Sequence, residues 1–150
     1  MISDFLLAGA HHLLAFTLLA VIFAERVLLK DDITPRDLRT LGSFDRAYGI
    51  TALLLIIVGI ARVIWGAKGH DYYLHNDFFW LKMAAFATVG LISIPPTLRF
   101  IGWSKQLRAD ANFRPAADDI ARLRRYLTAE LLVFIIIPVC AAAMARGFGF

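Results

Sequence analysis

The chain holds one cysteine, Cys140, in 150 residues. One thiol cannot close an internal disulfide, nor supply a zinc ribbon or a CxxC redox centre, so packing alone must hold the fold. Charge is the second scarcity: 19% of residues are charged and 59% apolar, where soluble domains carry about 25% and about 45 to 50%. Mean hydropathy is +0.66, and a water-soluble fold is excluded. The alternation of apolar and polar residues that a transmembrane β-barrel needs is also missing, as is any internal repeat or low-complexity stretch.

What is present is four apolar runs, separated by stretches that hold most of the charge. The first, Phe5 to Ala24, contains no Asp, Glu, Lys or Arg, and twenty residues at about 1.5 Å each match a hydrocarbon core of about 30 Å. No basic segment precedes it and Arg26 and Lys30 follow it, so it is expected to stay in the protein as a span rather than act as a signal peptide. The second, third and fourth runs are each interrupted by one charged group, Arg62, Lys82 and Glu130 respectively. Such groups cost about 2.5 to 3.5 kcal/mol at a helix centre. Pro95 and Pro96 are expected to kink the third helix and Pro138 the fourth. The expectation is a single all-α domain, 1–150, an integral membrane four-helix bundle with spans near 5–28, 46–67, 78–103 and 125–146.

Orientation follows from Lys and Arg. Twelve of the sixteen lie between the first and second or the third and fourth runs, so the positive-inside rule puts both long loops in the cytoplasm and both termini on the outer, periplasmic side. The basic pI is then a matter of topology, and nucleic acid is not an expected partner. Thr34-Pro35 followed by Asp37 reads as the start of a short helix along the inner surface, with Leu38 and Leu41 towards lipid. Pro115 with Asp118 and Asp119 leads into a fourth helix that begins in water. Arg122, Arg124 and Arg125 can bind anionic headgroups, although setting topology is the simpler explanation of them. Trp65, Tyr72, Tyr73 and Trp80 form an outer aromatic belt, with Trp103 at the inner end of the third helix.

Counted inward from the outer boundary, His11, Arg62 and Lys82 lie four to six residues deep on three different helices, roughly 6 to 9 Å below the edge. An imidazole in a low-dielectric bundle can ligate haem iron. A lysine amine can be a second axial ligand or a proton-transfer group, and a guanidinium suits a propionate carboxylate. His11 and His12 are about 100° apart on one helix, so only one faces a given axis. Against these readings, Arg62 and Lys82 can snorkel to headgroups without function, and His70 and His75 belong to a wet loop that also holds Lys68, Asp71 and Asp77. A second polar layer towards the cytoplasm comprises Glu25, Asp45 and Glu130 beside Arg26, Arg46 and Arg125. Glu25 shares a face with His11, which allows a proton path, but inner-rim ion pairs are the simpler expectation. Gly49 and Gly59 are expected to permit close helix approach.

Three stretches carry a resemblance: Ala10 to Phe16 (AHHLLAF) followed by Glu25-Arg26, Phe79 to Phe86 (FWLKMAAF), and Arg124 to Ile137 (RRYLTAELLVFIII). Together they resemble the HemJ type of membrane protoporphyrinogen oxidase and its relatives, the CopD-like copper proteins and a bacterial four-helix membrane family of unknown function. The last is the most similar, through Asp45 to Gly49 and the Gly59-x-x-Arg62 motif. The resemblance implies haem b held by His11 or His12 with Lys82, Lys82 also serving as the catalytic residue. It further implies oxidation of protoporphyrinogen IX, with electrons passed to quinone in the bacterial inner membrane. The chain departs from that group later in helix three, where Ser93, Pro95 and Pro96 stand in place of a further histidine. An alternative is a metal-binding or transport accessory using His11, His70, Asp71 and His75, with imidazoles and a carboxylate suited to zinc or copper(II). A third is a cofactor-free scaffold. Four spans leave little room for a private transport path, which favours a homo-oligomer.

Overall fold

The computed structural model describes residues 2–66 and 69–149, and of Ser3 only the backbone. Six helices follow in order: α1 (Ile2–Leu28), α2 (Pro35–Trp65), α3 (Gly69–Leu74), α4 (Asp77–Ala109), α5 (Ala117–Phe134) and α6 (Ile136–Ala145). α1, α2, α4 and the α5–α6 pair are each long and apolar enough to cross a membrane. Short links make successive spans antiparallel, and α1 packs on α2 and α5 while α4 packs on α2, α5 and α6. The result is a four-helix membrane bundle.

Local chemistry sets the boundaries. Thr34 caps α2: its Oγ1 accepts from the Asp37 N–H at 3.2 Å while Asp37 Oδ2 accepts from the Thr34 N–H at 3.0 Å, a reciprocal capping box with Pro35 at the first helical position. Asn76 caps α4 by accepting from the Phe79 N–H at 3.2 Å. The fourth span breaks at Ile135. Pro138 explains this, since it has no N–H for the Phe134 carbonyl and its ring crowds that turn. Pro95 and Pro96, by contrast, sit inside an unbroken α4.

Both termini lie at the end that carries α3. The Asn76 side-chain amide donates to the Phe148 carbonyl at 2.9 Å, the Asp77 N–H to the Gly149 carbonyl at 3.1 Å, and the Tyr72 hydroxyl to the Met144 carbonyl. The opposite end carries the basic loops.

The inner-surface helix expected around residues 35–41 is not a separate element. α2 runs unbroken for 31 residues, about 46 Å at 1.5 Å each, so it outreaches a hydrocarbon core of about 30 Å. Leu38 and Leu41 are buried rather than turned to lipid, in a core with Leu29, Ile33, Trp103, Leu107, Ile120 and Leu123. Trp103 is likewise no belt residue: it is buried against Phe100, ring centroids 5.8 Å apart. Trp65 and Trp80 are exposed, as a belt requires. Towards the terminal end, Phe5, Leu13, Phe16, Leu53, Ile57, Ile60 and Ile64 all point outward, an apolar surface suited to acyl chains and not to water.

Candidate functional site

Near the termini a cavity of about 400 Å³ lies between α1, α2, α4 and the break in the fourth span. That size is in the range of small-ligand sites. Its walls are mostly apolar, including Ala15, Leu55, Tyr73, Phe79, Phe86, Phe134 and Ile137. Its basic side chains are His11, Arg62 and Lys82. The three residues singled out from depth alone therefore meet, one from each of three spans. Among the described residues no Asp or Glu lines the cavity, so its electrostatics favour an anion or an electron-pair acceptor over a cation.

Each group is placed by its helix. His11 packs over Gly59, where an added Cβ would stand 3.4 Å from His11 Cε1. Gly59 is thus the seat of the imidazole. His11 Nδ1 is buried with no hydrogen-bond partner, and so is Arg62 Nε. Arg62 does not simply snorkel, because part of its guanidinium is held within the wall. Lys82 Nζ lies 5.3 Å from the centroid of the buried Phe79 ring, a separation at which an ammonium is attracted to the ring face.

His12 is turned away from the cavity. It is exposed, and its Nδ1 donates to the Ala8 carbonyl one turn back at 2.6 Å; its ring stands 6.3 Å from that of His11, nearly perpendicular. The 100° step between neighbours leaves His11, and not His12, facing the cavity. The alternative set His70, Asp71 and His75 does not converge either. His70 Nε2 meets Asp71 Oδ1 at 3.1 Å in an exposed pair, while His75 Nδ1 donates to the Asp71 backbone carbonyl. Among the described residues no three His, Cys, Asp or Glu side chains gather to hold a metal ion. Lys68 lies outside the described residues.

A second polar layer sits further along the bundle, about 21 Å from His11 by the fourteen residues to Glu25. Glu25, Asp45 and Glu130 are all buried, yet the expected ion pairs with Arg26, Arg46 and Arg125 are not formed. Arg26 donates to Thr128 Oγ1 at 2.9 Å and Arg46 to Ser43 Oγ at 3.3 Å, while Arg125 is exposed. The carboxyls take hydroxyl partners instead: Thr97 Oγ1 donates to Asp45 Oδ1 at 2.6 Å, and the Tyr48 hydroxyl to Glu130 Oε1 at 3.3 Å. Glu25 Oε1 has no partner. The arginines lie where headgroups begin and turn outward, since solvation there is worth more than an internal pair. Hydroxyls and carboxyls in contact can exchange protons. Gly49 has open space around its Cβ position, whereas a Cβ on Gly42 would come within 2.9 Å of Ser104 Oγ, so Gly42 marks the close approach of α2 and α4.

Residues 3–149 match the family described as "Predicted membrane protein (DUF2214)". The chain belongs to that family. No curated protein matches the chain, and no solved structure does.

Proposed function

We propose that this DUF2214 member is a bacterial inner-membrane redox protein whose terminal-end cavity holds haem b. One observation carries the reading: a half-buried imidazole whose Nδ1 is buried and unpartnered lines an apolar-walled cavity together with a guanidinium and an amine, with no carboxylate among the described lining residues. The donor set fits the group. His11 would ligate the iron, Arg62 would pair with a propionate, and Lys82 would be a further ligand or a proton carrier. Bound haem supplies one-electron chemistry. This chain's residues would then orient an amphipathic substrate from the bilayer, exclude water with Phe79, Phe86 and Phe134, and hold a proton at Lys82 Nζ. A HemJ-like reaction fits these roles: hydrogen removed from a porphyrinogen leaves as electrons and protons and is taken up by a quinone.

The test is an absorption spectrum of protein purified from cells supplied with haem precursors. A Soret band and a reducible alpha band are expected, lost in His11→Ala and kept in His12→Ala. Colourless wild-type protein, or full haem content in His11→Ala, overturns the proposal.

A further inference from the structure

At the basic end a groove of about 520 Å³ runs between α1 and α5, lined by Arg26, Ala121, Arg124, Arg125, Thr128, Ala129 and Leu132. It is far from the terminal-end cavity and shares no residue with it. Arg26 comes from one span and the other two arginines from another. Arg26 spends only Nε on Thr128, leaving its terminal nitrogens uncommitted. Thr128 in turn donates to the Arg124 carbonyl at 2.7 Å, which fixes its lone pair towards Arg26. Arg124 Nη1 meets Asp31 Oδ1 at 2.8 Å, and Arg125 has no hydrogen bond or ion pair among the described residues. Three guanidiniums thus face one carboxylate, a net charge of about +2 by simple count of ionised side chains. Directly beyond them towards the apolar zone, Ala129 opens a shallow lane and Leu132 is 63% exposed.

We infer that this groove is a selective site for an anionic phospholipid, its phosphate between Arg26 and Arg125 and an acyl chain along Ala129 and Leu132. Charge complementarity names the headgroup: guanidinium forks match phosphate oxygens in pairs. The exposed leucine immediately below names the tail, since a soluble phosphate ester has nothing to lay there. The level also fits, because Arg26 directly follows the apolar part of α1, where headgroups begin. Adjacent basic residues attract anionic lipid by roughly fivefold each, so the pair Arg26 and Arg125 should give a preference on the order of tenfold or more.

Native mass spectrometry of the full chain released from mixed micelles tests this, with phosphatidylglycerol against phosphatidylcholine of the same acyl chains. Wild-type protein should retain phosphatidylglycerol at least about tenfold better. Arg125→Gln, at an exposed and unpartnered side chain, should lose several-fold of that preference, and Arg26→Gln with Arg125→Gln nearly all of it. Arg39→Gln, elsewhere on the basic end, should leave it intact. Equal retention of the two lipids by wild type overturns the site. So does an equal loss in Arg39→Gln, which would make the effect one of net charge. Stabilisation by inorganic phosphate that matches phosphatidylglycerol would assign the groove to a soluble anion, and a dimer broken by Arg125→Gln would assign it to a second copy; either result refutes the lipid.

Discussion

Replacing Trp103 by alanine should cost far more than replacing Trp65, though both are tryptophans on membrane helices. Trp103 is 3% exposed and packs on Phe100; Trp65 is 71% exposed. Emptying a buried aromatic site costs about 3 to 5 kcal/mol, transfer and cavity terms together, whereas an outward-facing side chain away from caps and networks usually changes stability by no more than about 0.5 kcal/mol. A gap of about 3 kcal/mol is more than a hundredfold in the folded-to-unfolded ratio. It can be read as a shift in the midpoint of a dodecyl sulfate titration in mild micelles, followed by far-ultraviolet circular dichroism. Equal midpoints for Trp103→Ala and Trp65→Ala would refute the packed core at the basic end.

Thr97→Val removes the donor to Asp45 Oδ1 and should cost about 1 to 3 kcal/mol in the same titration. Asp45→Leu made on top of it should recover part of the loss, and strict additivity would contradict the contact. Asn76→Ala loses the cap of α4 and the clasp on the Phe148 carbonyl, for about 1 to 2 kcal/mol, together with faster chymotryptic removal of the tail; an unchanged midpoint would count against it. Gly59→Leu should place its side chain where the His11 ring and the cavity now are, so the Soret absorbance per protein should fall at least as far as in His11→Ala while helicity is kept. Retained haem would contradict the seat assigned to the imidazole.

The four spans were legible because lipid imposes a simple rule: some twenty apolar residues with at most one charge among them need no partner to declare themselves. The meeting of His11, Arg62 and Lys82 was legible for a related reason, since depth along a helix is countable from its end. Direction around the helix was harder. The choice between His11 and His12 turned on 100° of rotation, which only packing against Gly59 settles. The capping box at Thr34 was read correctly as a helix start, but nothing local said that the helix would continue for 31 residues. Charge pairing was misjudged because sequence proximity of Glu25 to Arg26 and of Asp45 to Arg46 says nothing of sides: adjacent residues on a helix diverge, and here the acids turn in and the arginines out.

The interruption at Ile135 has a mechanical consequence. Phe134 and Ile137, on either flank of it, both belong to the cavity wall, while Glu130 lies on the unbroken piece below. The wall of the cavity is thus carried by two helices rather than one, and α6 is tied at its tip to α3 by the Tyr72 hydroxyl, which donates to the Met144 carbonyl.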